Sequence, residues 1–507
     1  MRRRIPPTTR RGLVLLAVLV VVVLLSLVAY RYNDLMTAEA RAAGSAVRYI
    51  QARSFADSGV AYTMALLAGD PSVTLNNSPY INPEAFSAVP IPVTDEARPG
   101  SFWVVSPTPG VTEGYRFGLT DEGAKVNLNG LLDLDKGAGE LGKQFLMLLP
   151  NMTEEIAAAI LDWLDPDDEP RTGGAESATY ASMNPPYRCK NGPLDSLEEL
   201  LLVQGVTPDL LFGVDRNRNG IIDGDEPSGG GDTLGWSAYL TVYSRNVNVD
   251  PQGNQRINLN NTDLATLGEQ LAVLGPELGT YVMAFRLYGG KTSTDKTGQT
   301  SNQDAVTAKV QEDLAKGTAK PKKIKSIWDL IGSQVSVSIG TGRTARNLTY
   351  YSPLNSPDKQ KELLPLLLDY CSTSDKWDLP PLINVNTAPE TVFVALQNIA
   401  SLTGTDLTTV LEARGNPFAG DTPRRGLAWM VTEAGVSPTV MKALEQFVTG
   451  NSQVYRFQVV GRFSDGKPGP TARIEAVVDA NNGRPRVVYW RDLSELGKGY
   501  TFTGTGQ

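Results

Sequence analysis

The chain has 507 residues, 41% of them hydrophobic and 20% charged, which is enough for about two to four globular domains. Its formal net charge of -8 argues against binding to nucleic-acid phosphates, and the absence of histidine excludes Ser-His-Asp and Cys-His catalysis and most zinc sites. Two cysteines, Cys189 and Cys371, are too few for a disulfide framework, and the sequence leaves open whether they pair.

The first predicted element is an uncharged apolar segment, residues 13–30, which follows five arginines and no acidic residue. As a helix it rises about 27 Å, close to the hydrocarbon thickness of a bilayer. The positive-inside rule keeps the amino end cytoplasmic and places the chain after Tyr30 outside the cytoplasm. A cleaved signal peptide is the alternative, but the run is long and no small-x-small cleavage site precedes Arg31. Because proline is absent up to Leu67, we expect one helix of about 80 Å.

Three later segments alternate apolar residues with asparagine, and each precedes a helix-like stretch. The alternation predicts a short strand, and the asparagines then mark the junction between strand and helix. These segments are residues 125–129, 256–260 and 382–386. Helices are predicted in 153–163, on both sides of a glycine turn at Gly205 in 196–212, and in 389–448 with Gly415 and Gly435 as breaks.

The stretch from Gly289 to Lys325 is rich in Thr, Lys, Gln and Asp, which predicts a mobile loop. Strand patterns occur both before and after the helical blocks, so the late strands should return to a sheet that the early ones begin. The predicted strands lie at 101–105, 115–119, 455–461, 473–478 and 486–490.

Residues Asp215 to Glu226 fit a calcium-binding loop of the EF-hand type, with oxygen-bearing side chains at alternate positions and Gly220 at the sharp turn. A solvated acidic turn is the alternative. Pro227 and a glycine run follow, so we expect a structural calcium clip and not a complete helix-loop-helix switch. The expected ligands are the side chains of Asp215, Asn217, Asn219, Asp223 and Glu226 and the backbone carbonyl of Ile221.

A second acidic group lies in LDWLDPDDEP, where Asp162 and Glu169 flank three further aspartates. Without a fixed loop spacing, a solvated helix end explains this group about as well as a metal site does. The second possible calcium site comprises Asp165, Asp167, Asp168 and Glu176.

The amino terminus resembles that of type IV pilin-like proteins, in which a dedicated peptidase cuts after a leader glycine on the cytoplasmic side. In this chain Gly12 followed by Leu13 matches that processing site. Most pilins carry glutamate as the fifth mature residue, where this chain has Ala17. That departure is known for the K-type minor pseudopilin of type II secretion.

Several motifs along the chain carry a second resemblance. They are residues 121–129, 159–168, 174–176, Tyr180, 192–200 and 383–389. In these motifs the chain is similar to the general secretion pathway protein K (GspK) family. The resemblance implies a place at the pseudopilus tip and calcium bound in the helical insertion. Residues 251–370, with an additional asparagine segment, are longer than the family predicts, and their role stays open.

We therefore predict an α+β fold with a long transmembrane pilin helix, a pilin-like antiparallel sheet and inserted SAM-like helical domains. The expected protein is a non-enzymatic minor pseudopilin that caps the pseudopilus tip, initiates assembly and binds calcium. Its expected partners are the I- and J-type minor pseudopilins, the major pseudopilin and the inner membrane, with no nucleic acid or small-molecule substrate. We expect a single-pass inner-membrane protein with a cytoplasmic amino terminus and a periplasmic bulk.

Two alternatives remain at this stage. One is a membrane-anchored calcium-dependent hydrolase that uses the carboxylates of residues 162–168, and the other is a component of a related type IV pilus or DNA-uptake filament.

The predicted domains are 1–12 leader, 13–68 pilin helix with membrane part 13–30, 69–126 first part of the sheet, 127–235 helical insertion with the calcium loop, 236–381 extra insertion with the polar loop, 382–450 second helical segment and 451–507 closing strands.

Overall fold

The computed structural model has a mixed α+β fold, which confirms the predicted fold class. The structure describes residues 11–69, 75, 78–92, 99–108, 114–132, 141–224, 226, 234–317, 320–340, 345–399, 407–416, 418, 424–464, 469–500 and 502.

The helices and strands are numbered in chain order within these described residues. The α-helices are α1 Arg11–Ala68, α2 Pro83–Phe86, α3 Leu141–Leu146, α4 Glu154–Leu164, α5 Ser177–Ala181, α6 Pro208–Phe212, α7 Leu264–Gln270, α8 Gly275–Tyr288, α9 Gln303–Lys316, α10 Pro357–Tyr370, α11 Glu390–Ile399, α12 Leu407–Arg414, α13 Ala428–Thr432 and α14 Pro438–Leu444. The strands are β1 Val89–Ile91, β2 Gly100–Pro107, β3 Tyr115–Phe117, β4 Thr120–Asp121, β5 Val126–Asn127, β6 Leu240–Thr241, β7 Asn246–Val247, β8 Ile257–Asn258, β9 Gly290–Thr292, β10 Ser333–Ile339, β11 Arg346–Tyr351, β12 Cys371–Ser372, β13 Asp378–Leu379, β14 Ile383–Asn384, β15 Val448–Thr449, β16 Val454–Phe463, β17 Ala472–Asp479 and β18 Arg486–Asp492.

Helix α1 confirms the single long helix predicted from the sequence. Its first half is exposed, whereas from Ala52 onward one side is buried against the sheet. Among the described residues it is the one helix whose length and apolar composition suffice to cross a membrane. Its apolar part fits a single-pass membrane anchor. Most of the predicted leader, residues 1–10, lies outside the described residues.

A seven-stranded antiparallel sheet packs on the second half of α1. The strand order is β1-β2-β16-β17-β18, with β3 added to β2 and β4 to β16. The late strand β16 pairs with the early strand β2, for example Val459 opposite Val104, so the predicted return of the late strands is confirmed. Side chains alternate between the two faces: Val104 packs under α1, whereas Trp103 and Val105 face the opposite side.

Helix α1 runs antiparallel to β16. Ala52 and Ala56 lie against Gly461, and further along the helix Gly59 lies against Val459. The helical region joins the sheet beside the pairing of Asp121 with Tyr455, near the start of β16. This junction is therefore at the end of the sheet farther from the exposed half of α1.

The helical region contains three modules that open and close in the same way. In each, an opening strand from an asparagine segment pairs in parallel with a closing strand far along the chain. The predicted short strands in these segments are thus confirmed. Module 1 comprises residues 126–241 (β5 with β6), module 2 residues 257–372 (β8 with β12) and module 3 residues 383–449 (β14 with β15). One continuous apolar core fills all three.

The first asparagine of each segment forms a turn with its own backbone. Its side-chain oxygen accepts a hydrogen bond from the backbone N–H two residues on, at 2.9 Å for Asn127, 2.8 Å for Asn258 and 3.1 Å for Asn384. This local bond ends the strand and turns the chain towards the following helix. The asparagines therefore act as structural junctions, as predicted.

One prediction from the sequence is wrong in detail. The stretch from Gly289 to Lys325 is not a loop throughout, because it contains β9 and the 14-residue helix α9. Buried Val306 and Val310 anchor α9, and Lys309 pairs with acidic residues one turn away, which stabilises a helix of otherwise polar composition. Within 196–212 the predicted helix, glycine turn and second helix are confirmed: Leu197–Leu202 form a helix of the 3₁₀ type, and Gly205 at φ +84° separates it from α6.

Candidate calcium sites

The first candidate site is the loop from Asp215 to Glu226, which follows α6 in module 1. The structure describes residues 215–224 and 226, whereas Asp225 and the glycine run after Pro227 lie outside the described residues. Gly220 adopts φ +75°, and a Cβ there would lie 2.5 Å from Pro107 of β2. Glycine is thus required both for the turn and for close packing on the sheet.

The predicted ligands converge within this loop. The carboxylate of Asp215 accepts hydrogen bonds from the N–H groups of Asn219, at 3.1 Å, and Gly220, at 2.7 Å. The side-chain amides of Asn217 and Asn219 donate to the same oxygen of Asp223, at 2.6 and 3.0 Å.

The last ligand position, Glu226, closes the loop onto its own backbone. Its carboxylate accepts hydrogen bonds from the N–H groups of Arg216, at 2.8 Å, and Asp223, at 3.0 Å. The five side chains all carry oxygen atoms, the ligand type that Ca²⁺ prefers, and hydrogen bonds within the loop engage each of them.

Burial makes this loop electrostatically costly without a cation. Asp215, Asn219 and Glu226 are all buried. Burial raises the pKa of Asp215 to about 6, and the negative charge of Glu226 raises it further against the hydrogen bond from Gly220. A bound divalent cation would offset both the desolvation and the repulsion between the two carboxylates.

The loop is fixed to the far face of the sheet by contacts that the sequence did not indicate. Gln458 of β16 donates to the carbonyl of Arg218 at 2.6 Å, and the Tyr500 hydroxyl donates to the carbonyl of Asn219 at 2.9 Å. Arg473 of β17 donates to the carbonyl of Asn217. The side chain of Ile221, whose carbonyl is the sixth predicted ligand, packs with the apolar cluster around Trp103. The loop therefore connects module 1 with the pilin-like sheet.

The second candidate site combines two of the predicted residues with Asp162. Asp162 lies in the last turn of α4, Asp165 caps that helix, and Glu176 precedes α5. One carboxylate oxygen of each lies within 4.8 Å of the others, and all three residues are buried. The turn between them requires Gly174, because a Cβ there would lie 1.9 Å from Asp162 Oδ2.

The other two predicted ligands, Asp167 and Asp168, do not join this group. Both are exposed. The Asp167 side chain accepts a hydrogen bond from the Glu169 N–H at 2.9 Å, and Asp168 accepts one from the Ser177 N–H at 3.2 Å. These bonds organise the turn that carries Asp165 and Glu176.

Unpaired buried oxygens distinguish this second group. Arg171 donates to Asp162 at 2.8 Å and also to Asp165. By contrast, Oδ1 of Asp165 and both carboxylate oxygens of Glu176 have no hydrogen-bond partner of normal geometry. Burial raises the pKa of Glu176 to about 7, and the charges of Asp162 and Asp165 add to this effect although the Cys189 thiol opposes it. Buried oxygens without partners are where a cation fits.

Two functional contacts escaped the sequence analysis. Arg171 places a positive charge beside the carboxylates of the second group. The sequence did not indicate this role, because a basic residue in an acidic turn is not specific to an ion pair with buried carboxylates. Asp121 is buried at the junction of the modules and accepts hydrogen bonds from Asn384, at 2.7 Å, and Thr387, at 2.6 Å. Its partners lie more than 260 positions away, so no local pattern indicates its role.

The residues predicted for membrane insertion and processing all lie on the exposed half of α1. They are Gly12, Leu13, Ala17 and Tyr30. A Cβ at Gly12 would have no neighbouring atom within 4 Å, so the fold itself does not require glycine there.

Residues 124–214 match the family model described as Type II secretion system (T2SS), protein K. This segment contains the second acidic group and the opening strand of module 1. It ends just before the first candidate loop.

Three curated relatives carry the same description. Type II secretion system protein K of Pectobacterium carotovorum subsp. carotovorum is 40% identical over 72 residues, which cover 13% of this chain and 22% of the relative. The Klebsiella pneumoniae protein is 35% identical over 98 residues, covering 17% and 30%. The putative protein of Escherichia coli strain K12 is 40% identical over 58 residues, covering 11% and 18%. The aligned segments thus span less than a third of each relative.

A solved structure also aligns with the chain along most of its length. It belongs to the GspK-GspI-GspJ complex from the type 2 secretion system of enterotoxigenic Escherichia coli. The match covers 89% of this chain and 98% of that chain, with a TM-score of 0.38 and 12% sequence identity.

Proposed function

We propose that this chain, which carries a domain of the type II secretion system protein K family at residues 124–214, is a minor pseudopilin that caps the tip of a secretion pseudopilus. In this role it initiates assembly of the filament and has no catalytic activity. It is held in the inner membrane by α1, with a cytoplasmic amino terminus and a periplasmic head. Its partners are the I- and J-type minor pseudopilins and the major pseudopilin.

The division of α1 into two halves carries this proposal. Residues 13–30 expose an apolar surface in which Ser26 is the one strongly polar side chain, whereas from Ala52 onward one side of the helix is buried against the sheet of the head. Such a helix serves both as a membrane anchor and as a surface on which the helices of neighbouring subunits pack. Because α1 is packed on the sheet, movement of the helix during filament growth would also move the head.

Ala17 and the large head both favour the tip position. A subunit at the tip has no neighbour above it whose amino group would need a carboxylate at this position within the membrane. The three modules lie at the end of the sheet farther from the exposed half of α1, where they would block addition of another subunit.

Calcium serves in this proposal as a structural clip. At the first site, Asp215, Asn217, Asn219, Asp223 and Glu226 would hold the ion through their side chains, with Ile221 through its carbonyl. The ion would neutralise buried carboxylates and fix module 1 on the sheet. At the second site, Asp162, Asp165 and Glu176 would stabilise the turn between α4 and α5.

Processing at Gly12 tests the function as a pseudopilin. Gly12→Leu in the native host should leave an uncut precursor and abolish secretion. The matched control is Gly44→Leu, because Gly44 is also an exposed glycine of α1 with no atom within 4 Å of an added Cβ. Normal secretion by the Gly12 variant, or equal loss in both variants, would contradict the proposal.

Titration calorimetry tests the calcium clip on the purified full-length protein in detergent. Asp215→Ala and Glu226→Gln should each abolish the heat of calcium binding at the first site. Asp209→Ala is the control, because Asp209 is an exposed aspartate of neighbouring α6 outside the loop. Undiminished calcium affinity in the two loop variants would remove the site.

A further inference from the structure

Module 2 repeats the opening segment of module 1 and the hydrogen bonds that hold this segment in place. In module 1, Asn129 exchanges two hydrogen bonds with the backbone of Leu194, at 3.0 and 2.7 Å. In module 2, Asn260 exchanges the same two bonds with Ile324, both at 2.9 Å. Each pair joins the opening segment to a chain stretch 64 or 65 residues later.

The sequences that follow these two clamped residues are equivalent position by position. Leu194-Asp195-Ser196-Leu197 in module 1 corresponds to Ile324-Lys325-Ser326-Ile327 in module 2. In both modules the serine precedes a 3₁₀ helix, Leu197–Leu202 or Ile327–Leu330. The main difference is charge, because Lys325 occupies the position of Asp195.

The clamped segment of module 2 carries a cluster of lysines that we call the lysine strip. All of its members are exposed, and none forms an ion pair with any residue that the structure describes. The strip comprises Lys320, Lys322, Lys323 and Lys325.

The corresponding basic residues of the other modules are paired. In module 1, Lys190 pairs with Asp195 at 2.8 Å and with Glu199 at 2.9 Å. In module 3, Arg424 lies two residues before Gly426, whose carbonyl accepts a hydrogen bond from Asn386 at 3.3 Å, and Arg424 pairs with Glu433 at 2.6 Å. Module 2 alone, within the described residues, presents this segment as uncompensated positive charge on a chain whose net charge is -8.

The backbone of the strip is held in place. Ile324 is fully buried and clamped by Asn260. The N–H of Lys322 donates to the carbonyl of Arg286 at 2.6 Å, and the buried Arg286 guanidinium donates back to the Lys322 carbonyl. In extended chain the side chains of Lys323 and Lys325 start about 6.6 Å apart. The lysines are therefore presented at fixed spacing, which reduces the entropy lost when a partner binds.

We propose that the lysine strip is a docking surface for an acidic, extended segment of a partner protein outside the cytoplasm. This rests on the proposed function only for the location of the head. Carboxylates on alternate residues of an extended segment would match the spacing of the strip. An acidic partner would be repelled by the rest of this acidic chain and guided to the strip. The modules join the sheet away from the exposed half of α1, which favours a protein partner over lipid headgroups of the anchoring bilayer.

Binding to the full-length protein in detergent tests the proposal directly. The probe is a short fluorescent peptide of alternating glutamate and glycine, followed by fluorescence anisotropy at low and at physiological salt. The triple variant Lys322→Glu, Lys323→Glu, Lys325→Glu should lose at least about tenfold in affinity, because three attractive contacts become repulsive. A glutamate at position 325 is compatible with the fold, since module 1 has Asp195 there.

The control reverses three exposed lysines elsewhere and so makes the same change in net charge. It consists of Lys361→Glu, Lys376→Glu and Lys498→Glu. Equal losses of affinity in both triple variants would overturn the proposal, because peptide binding would then depend on net charge alone. No loss of affinity in either variant would also overturn it, because the lysine strip would then not contribute to binding. If the glutamate variant does not fold, the Lys→Gln triple variant gives the same comparison without charge reversal.

Two further readouts separate the alternatives. Vesicles containing anionic phospholipid replace the peptide as probe, and strip-dependent binding of vesicles but not of peptide would overturn the protein partner in favour of a membrane. In the native host, the strip variant should be processed at Gly12 and retained in the membrane, with reduced secretion. Defective processing of the unmodified chain would instead count against the proposed function, independently of the peptide result.

Discussion

Glu176 provides the sharpest test of whether the second acidic group is built for a cation. The residue is 2% exposed, and neither carboxylate oxygen has a hydrogen-bond partner of normal geometry. Without calcium, the ionised side chain should destabilise the folded protein, and Glu176→Gln should remove that charge while it keeps the shape. We therefore expect the variant to be more stable than the natural protein at neutral and higher pH when calcium is chelated.

The pKa gives the direction and an upper bound for this effect. Burial raises the pKa from 4.5 to about 7, so between these values the folded state holds a proton that the unfolded state has lost. The stabilisation from that proton is complete below pH 4.5 and disappears as the pH rises through about 7. At 1.36 kcal/mol per pKa unit, the natural protein should lose up to about 3 kcal/mol across this interval relative to Glu176→Gln.

Urea unfolding of the full-length protein in detergent, with a chelator present, measures this difference at several pH values. Taking the difference between protein and variant cancels other groups that titrate in the same range, such as Asp215. Asp167→Asn is the matched control for the loss of one carboxylate, because Asp167 is exposed in the same turn and lies outside the buried group.

Calcium should reverse the order of stability. Saturation at about 1,000 times the dissociation constant adds about 4.1 kcal/mol to a protein that binds only in its folded state, which exceeds the loss of about 3 kcal/mol. The natural protein should gain this increment, and Glu176→Gln should gain much less. A constant difference between the two proteins from low to high pH, or equal stabilisation of both by calcium, would refute the reasoning.

Three further predictions use the same unfolding assay or simple chemistry. Gly461→Ala should destabilise the head by about 1 to 3 kcal/mol, because the new Cβ would lie 2.3 Å from a backbone oxygen of α1. Gly44→Ala, on the exposed half of α1, should instead be neutral or slightly stabilising, and a similar cost in both would contradict close packing at 461. Asp121→Ala should cost about 2 to 4 kcal/mol, because it removes the acceptor of three buried donors, those of Gly123, Asn384 and Thr387, and an unchanged unfolding midpoint would exclude this role. Cys189 and Cys371 are buried free thiols, and burial raises the pKa of each to about 12. Both should therefore react with iodoacetamide only after unfolding. If mass spectrometry of the unfolded protein shows that neither cysteine is alkylated, the two form a disulfide.

The long helix and the sheet could be predicted because their signals are local. An uncharged run without proline defines α1, and alternation of apolar residues defines the strands. Helix α9 could not be predicted in this way, because Val306 and Val310 are its buried residues and they are too few to give a clear helical pattern. Its stability comes from packing and from ion pairs such as that of Lys309 with Asp313, which composition alone does not indicate.

The candidate sites divide in the same way. The residues of the first loop are contiguous, so their spacing alone predicted that Asp215 and Glu226 would meet. The second group depends on a turn that brings Glu176 back to Asp162, and that turn is fixed by Gly174 and by contacts of the exposed aspartates. The sequence therefore indicated the acidic segment in which the group lies, but it did not indicate which three side chains come together.

The attachment of the first loop to the sheet shows where prediction from local pattern ends. Arg473 is fully buried in β17, a strand whose alternation gives no reason for a charge, and it donates to the carbonyl of Asn217, 256 residues earlier in the chain. Burial lowers the pKa of Arg473, whereas the charges of Asp215 and Asp223 favour its protonated form. A buried cation beside an acidic loop offsets part of the repulsion between its carboxylates while limiting the affinity for a second cation. The loop spacing therefore predicts which atoms would bind calcium, whereas the strength of that binding would also depend on Arg473, which only the folded sheet brings to the loop.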